Sequence, residues 1–465
     1  MIRLLAQIRT MPEGFGGVLY KDVTNVHILG LTALLTLGLI MLLVPRRWAL
    51  LPMFVMACFI SSVQKIVLFS LDFDFLRIMV LFGVLRIISR REFKRFIWRP
   101  CDKIIVLWTL CGTIIYTLQQ ENISALANKL GSTMTILGVY FVARCLIRDW
   151  WDLKTFLLGS IVTCGIVMFF FGIEANTGRN MFSIFGGIPE ITVVRQGRLR
   201  CQGAFPHPII AGNFWAVMWP LYVAMWWDGY KGKIWAALGT IAVWFIVFAC
   251  ASSTPVMGLI SGIIGGAMFV MRRQMRMVRW GTALSLIALH FVMKAPVWHL
   301  ISRVSAVGGS TGYFRFLLID AAIKHFHEWA ILGTKSTANW FYGAQDITNQ
   351  YILVGVQGGA LTLIFYIMLF AFSFKEVGYL WRAVSRDKAK LAMAWSLGVS
   401  LFVLCVMGIG GGYMGASYVV LCFTFAAITS MSSAEQTKRI RQTRKMNSLK
   451  LYTVNNKYAL SNGYV

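Results

Sequence analysis

Thr155-Phe-Leu-Leu-Gly-Ser-Ile-Val-Thr-Cys-Gly-Ile-Val-Met-Phe-Phe-Phe-Gly-Ile173 is a run of nineteen residues without a charge, and it passes directly into Glu174-Ala-Asn-Thr-Gly-Arg-Asn180. A helix rises 1.5 Å per residue, so about 20 apolar residues cross the ~30 Å hydrocarbon layer of a bilayer. Comparable runs recur on both sides of this one. They predict an all-α, polytopic integral membrane protein of about 12–13 transmembrane helices. The expected spans are 27–45, 49–68, 74–88, 104–118, 131–147, 155–173, 209–227, 234–251, 255–271, 280–297, 351–373, 391–409 and 416–431.

Composition agrees: 58% of the 465 residues are hydrophobic and the mean hydropathy is +0.67. The formal charge of +27 would suit a nucleic-acid binder if it formed one patch. The basic residues are instead parcelled into short loops and one tail, which is a topology signal and argues against a nucleic-acid partner. The nine cysteines, among them Cys58, Cys111, Cys164, Cys250 and Cys405, have no paired spacing of a disulfide or metal kind and read as small apolar residues. Cys201 lies in a polar loop without a nearby second thiol. No cleavable leader is expected, because the first apolar run is preceded by some two dozen residues and followed by Arg46 and Arg47.

The positive-inside rule places Arg86, Arg90, Arg91, Lys94, Arg95, Arg99 and Lys103 in the cytoplasm, and likewise Arg272, Arg273, Arg276 and Arg279. Counting spans from these anchors puts 144–154, 231–233, 375–390 and the tail 438–457 inside too, and all are basic. The two longest connections, 174–207 and 299–350, both fall outside, although loop length played no part in the assignment. The N-terminal segment also comes out external, against its Arg3 and Arg9. The chain divides into N-terminal spans 1–173, a region 174–431 with the two external loops, and a basic tail 432–465 expected to be disordered and drawn to anionic lipid.

A polar connection of some fifty residues in a chain otherwise made for the bilayer is where chemistry is expected. The first external loop ends Arg195-Gln-Gly-Arg198-Leu-Arg200-Cys-Gln-Gly203-Ala-Phe-Pro-His207-Pro208. Its guanidinium groups, delivered where the next helix enters the membrane, suit bidentate capture of a diphosphate, or else simply meet phospholipid phosphates. The second loop carries Ser310-Thr-Gly-Tyr-Phe-Arg315 through Glu328, with apolar residues at helical spacing. It predicts a surface helix with Arg315 near its start. Ile331-Leu-Gly333 and then Asp346-Ile-Thr-Asn349-Gln-Tyr351 follow at the mouth of the next span. Within the bilayer Gly258, Gly262 and Gly266 permit close packing. His290, Lys294, Arg77 and Arg144 are intramembrane ionisable candidates, the arginines with Asp72 and Asp149 as possible partners.

This order of segments resembles the O-antigen ligase and polymerase superfamily of membrane glycosyltransferases. The resemblance rests on Arg200 to Pro208, on Arg315 with Ile331-Leu-Gly333, and on Thr348-Asn349-Gln-Tyr351-Ile followed by Gly358-Gly359, and covers about residues 174–375. Two positions depart from the family pattern. Thr348 stands where the ligases usually carry a histidine, and Ser252-Ser253-Thr254 stands where many relatives show a Ser-Arg pair.

The resemblance implies transfer of a glycan from a polyprenyl-diphosphate carrier on the outer face of a bacterial inner membrane. Arg315 and Arg200, with Arg198, would stabilise the departing diphosphate. The base would be Asp346, with His207 and His327 next. Asn349 would orient the site. For Asp346 the competing role is a helix cap, and for His207 a backbone-holding loop residue. No cofactor is implied and no external carboxylate cluster resembles a metal site. The partners implied are the lipid-linked glycan, membrane lipids, and a chain-length regulator and flippase of the same pathway. Polymerisation of exopolysaccharide or O-antigen repeats is the expected reaction. The alternatives are ligation to lipid A core, and transport of polysaccharide or lipid-linked sugar.

Overall fold

A computed structural model describes residues 24–68, 71–303 and 312–461. The sidedness of the N-terminal segment with Arg3 and Arg9, and the Ser310-Thr311 pair, lie outside the described residues. In chain order the helices are α1 (Ile28–Leu43), α2 (Leu51–Phe59), α3 (Phe75–Ser89), α4 (Pro100–Gln120), α5 (Ile123–Leu146), α6 (Trp150–Thr177), α7 (Pro208–Ala224), α8 (Gly229–Ala249), α9 (Ser253–Ala267), α10 (Met275–Val292), α11 (Gly312–Lys324), α12 (Phe326–Trp329), α13 (Gln350–Ala383), α14 (Lys388–Gly410) and α15 (Ser417–Ser461). Two short hairpins interrupt them: β1 (Lys65–Leu68) with β2 (Leu71–Asp74), and β3 (Val194–Arg195) with β4 (Arg198–Leu199).

Helix starts are written locally. The side chains of Asp74, Asn122, Asp149, His207, Asn349 and Asp387 each accept a backbone N–H from the first turn that follows. These caps satisfy donors that a helix leaves orphaned, and in lipid no water can do so. Among the described residues seven helices are long and apolar enough to cross a membrane on their own, and α9 with α10, bent by 95° at a short break, makes an eighth if taken as one broken span. The protein is a multi-pass, all-α membrane protein.

Each expected span overlaps a helix, but α1, α2 and α3, of 16, 9 and 15 residues, are too short to count among the helices that cross alone. The span 49–68 is helical only to Phe59. Ser61 and Gln64 leave the helix to bind the carbonyls of Gly187 and Phe185, and the chain turns into the β1–β2 hairpin, clasped by Lys65 and Asp72 at 2.7 Å. Residues 255–271 and 280–297, read as two straight spans, are the bent pair. The tail after Met431 is not disordered from its start: α15 continues to Ser461, anchored where Glu435 accepts the Trp150 indole N–H at 2.9 Å and Gln436 meets Arg99. Gly258 packs on Met407 and Ala216, and Gly262 on Trp219, whereas Gly266 meets nothing and Gly265 takes its place against Val399.

The turns sort to two ends of the bundle. At the basic end Arg99 forks onto Glu376 at 2.7 and 2.8 Å, Arg46 reaches Asp152 at 2.6 Å, Arg86 pairs with Glu92, and Arg144 pairs with Asp102 at 2.8 Å while Tyr140 donates to the same carboxylate. Arg144 therefore finds Asp102 and not Asp149. Arg77 finds Asp74 at 3.4 Å and the carbonyl, not the carboxylate, of Asp72. At the opposite end the polar loops meet: Gln119 donates to Leu332 and Val356, Cys201 to Ala249, and Tyr413 to Gln350.

Candidate functional site

Glu174, at the end of α6, organises the first polar loop. Its fully buried carboxylate accepts from the backbone N–H of Gln202 and of Gly203 and from the Thr192 hydroxyl, each at 3.0 Å. The loop is thereby folded back on the helix. Asn180 donates to Gly203 O at 2.8 Å, and Gly203, at φ +58°, sits on the Phe171 ring where a side chain would collide. A turn at Gln196-Gly197, both with positive φ, closes β3 and β4; Arg195 and Arg198, paired across the hairpin, are exposed, and Arg200, just past β4, is buried. From Arg200 the chain is pinned by Cys201 N–H to Ala249 O at 3.0 Å, against the turn between α8 and α9. Between β4 and that turn lies a cleft of about 400 Å³, with Arg198 and Ser252 on its wall.

Arg315 reaches the start of α9 from the other loop. Gly312–Lys324 is helical as predicted, with Arg315 in its first turn. Its Nη2 donates to Thr254 Oγ1 at 2.8 Å and to Gly410 O at 3.3 Å. Thr254 itself donates to Gly410 O at 3.3 Å. Gly410 opens the Gly410-Gly-Gly412 run after α14, and a side chain there would press on Thr254 and the Arg315 guanidinium. Asn213, one turn into α7, lies under Gly411 with its side-chain oxygen buried and unbonded.

The charge of these arginines is uncompensated. Neither Arg200 nor Arg315 has a carboxylate partner among the described residues, and the Nε of each is buried without an acceptor. Burial, with Arg195 nearby, pulls the Arg200 pKa down, and burial alone pulls down that of Arg315. At the basic end Arg86, Arg99 and Arg144 all hold carboxylates. A buried cation is normally paired, so buried Arg200 and half-buried Arg315 are each suited to receive an anion.

His207 caps α7 through its Nδ1, which accepts from Ile209 N–H at 3.1 Å. Burial, then the charges of Arg200 and Arg195, push its pKa down to about 4. Its ring is neutral near pH 7, with the proton on Nε2. It is a hydrogen-bond donor there and a poor base, which weighs against the expected proton-accepting role.

Asp346 does not cap α13. Asn349 does, accepting from Tyr351 and Ile352 N–H at 2.9 and 3.2 Å. Asp346 is exposed, and partial desolvation raises its pKa, as a base requires. Thr348 has a buried hydroxyl without a partner. His327 is exposed on α12 and engages nothing among the described residues, while His325 takes the interior contacts, 2.6 Å from Glu328 and stacked on Trp340. His290 stacks on Trp298, and Lys294 is exposed.

Two motifs that look separate in sequence meet in space. α13 breaks at Gly359, with φ +71°, and the Ile331-Leu-Gly333 segment fills the break. Ala360 donates to Ala330 O at 2.8 Å and Thr334 to Val356 O at 2.9 Å. Gly333, at φ +73°, faces the Val356 carbonyl so closely that no side chain fits. Thr254, Gly410 and Asn213 are site residues that sequence reasoning did not single out as such. The Gly410-Gly-Gly412 run was the signal available for Gly410. Among the described residues no group of three or more His, Cys, Asp or Glu gathers as a metal site would need.

No protein-family model matches the chain, and no curated protein matches it.

Proposed function

We propose that the protein transfers a glycan from a polyprenyl-diphosphate carrier to the hydroxyl of an acceptor glycan, polymerising repeat units at the outer face of a bacterial inner membrane. The observation that carries this reading is two guanidinium groups without a carboxylate partner among the described residues: buried Arg200, beside Cys201, which is bonded to the last residue of α8, and half-buried Arg315, bonded to Thr254 at the start of α9. A diphosphate gains charge as its bond to the anomeric carbon breaks, and preorganised cations at that point lower the barrier. The acceptor oxygen forms the new bond to the anomeric carbon, its proton passes to Asp346, and the carrier diphosphate leaves with its charge met by Arg200 and Arg315. Neutral His207 is suited to donate to a diphosphate oxygen, and Arg198, exposed at the rim, to the approach of the headgroup. The resemblance over residues 174–375 supports the same reading, and a flippase and chain-length regulator would be its pathway partners.

The test is the size distribution of surface and lipid-linked glycans in a strain lacking the protein, complemented with wild type, Arg315→Ala or Asp346→Asn at equal protein level. The proposal expects loss of long polymer from both variants, with single repeats reaching the outer face. General-base removal typically lowers a rate ~10²–10⁴-fold, while an exposed substitution shifts stability by only about 0.5 kcal/mol. Long polymer retained on its carrier but missing from lipid A core would replace polymerisation by ligation. Repeats trapped on the cytoplasmic side would replace both by transport.

A further inference from the structure

At the basic end, between the turn after α3, the C-terminus of α5 and the middle of α15, lies a cleft of about 640 Å³. Three of its basic side chains are occupied within the protein. Arg144 holds Asp102, Arg46 holds Asp152, and Arg148 donates to the carbonyls of Cys145 and Glu92. Its two carboxylates are occupied as well: Glu92 pairs with Arg86, and Asp149 caps α6 beside Arg46. What remains facing the cleft is cationic. Lys94, Lys438 and Arg441 line it, are exposed, and have no acidic partner among the described residues. On the inner wall the Ser433 hydroxyl is buried without a hydrogen-bond partner.

We propose that this cleft binds the phosphate of an anionic ligand, with Lys94, Lys438 and Arg441 pairing its oxygens and Ser433 supplying a hydroxyl. Its volume falls in the range of small-molecule sites and exceeds the need of a bare ion, so the phosphate carries an attached group. A phospholipid headgroup from the adjoining leaflet and a soluble phosphate compound share this chemistry. The site stands at the opposite end of the bundle from Arg200 and Arg315 and does not depend on the glycan-transfer reading. It gives the continuation of α15 past the bundle a role: Lys438 and Arg441 are brought to the cleft only because that helix does not stop at the membrane.

The experiment is thermal unfolding of the full chain, stripped of lipid in neutral detergent. Phosphatidylglycerol, phosphatidylcholine or inorganic pyrophosphate is titrated against wild type and Lys94→Ala/Lys438→Ala/Arg441→Ala, with Arg200→Met reporting any pyrophosphate effect at the other end. Without ligand the triple variant should unfold with wild type, because all three side chains are exposed. Its apparent affinity should fall ~10–100-fold at low salt, from the loss of three surface charges acting on one anion. A charge-selective shift with phosphatidylglycerol identifies the lipid as source, and one with pyrophosphate that survives in Arg200→Met identifies a soluble ligand. Ala434→Trp, which fills the cleft without removing charge, should lose the same shift. Equal responses of wild type and both cleft variants, a phosphatidylcholine effect matching phosphatidylglycerol, or no wild-type response at all would overturn the proposal.

Discussion

Replacing Arg200 by methionine should make the protein more stable and abolish its activity. The guanidinium of Arg200 is buried, its Nε has no acceptor, and no carboxylate lies within pairing distance among the described residues. Methionine keeps an unbranched apolar stem and removes the desolvated charge. Even paired buried ions are often replaced by apolar residues with a gain of 1–4 kcal/mol, and an unpaired one has less attraction to lose, so about 2 kcal/mol of stabilisation is expected. Arg144→Met is the control of opposite sign. It strands Asp102, which would keep only the Tyr140 hydroxyl and the Arg99 N–H, and breaking such a pair costs about 3–5 kcal/mol. The assay is thermal unfolding of both purified variants in the same detergent, followed by intrinsic fluorescence, beside turnover of lipid-linked donor. One kcal/mol moves the midpoint by ~2–4 °C in a domain of 150–250 residues and by less in a longer chain, so the two variants should separate on either side of wild type. Added pyrophosphate should raise the midpoint of wild type, and the part of that rise due to Arg200 should vanish in Arg200→Met. A midpoint for Arg200→Met as depressed as that of Arg144→Met would refute the reasoning, because it would mean that the arginine is structurally paired.

Thr254→Val deletes the acceptor of the 2.8 Å bond from Arg315. A hydrogen bond to a charged group is worth about 1.5–3 kcal/mol, so turnover should drop ~10–100-fold and Thr254→Ser should restore most of it. The His207 pKa, pushed down to about 4, lies below its usual value, so its neutral form stabilises the fold fully above pH ~6.5 and this contribution disappears as pH falls through 4. The loss amounts to ~3 kcal/mol at most, and His207→Asn, which retains a cap, should flatten acid destabilisation between those pH values in unfolding curves. Gly333→Ala forces a side chain into a positive-φ position against the Val356 carbonyl. It should cost about 3 kcal/mol or more and increase proteolysis near the α13 break, whereas Gly197→Ala, equally left-handed but facing open space, should cost less.

Much of the architecture is legible in the chain because its causes are local. A nineteen-residue uncharged run such as Thr155–Ile173 has one stable state in a bilayer, and Asp149, His207 and Asn349 mark helix starts through the side chain itself. The helix with Arg315 in its first turn was also legible, from the spacing of its apolar residues. The early stop of α2 was not legible. Residues 49–68 are apolar enough on average, and the helix yields because Ser61 and Gln64 find carbonyls at Gly187 and Phe185, more than a hundred residues away. The tail was misread for a related reason: composition alone cannot show that Glu435 and Gln436 have partners at Trp150 and Arg99.

The candidate site divides in the same way. Sequence selected Arg200, Arg315, Asp346, His207 and Asn349 as chemically apt residues in the polar loops. Tertiary structure decided which of them are bonded locally: capping takes up Nδ1 of His207 and the side-chain oxygen of Asn349, and Asp346 makes no such bond. It also supplied Thr254, Gly410 and Asn213, and joined Gly333 to Gly359 across a helix break. By itself the sequence determined that this is a bundle of membrane helices interrupted by two long polar loops, because hydropathy and end-capping act over a few residues. Which arginines are left without a counter-charge was decided only in three dimensions, because pairing depends on which carboxylates long-range packing brings within 4 Å.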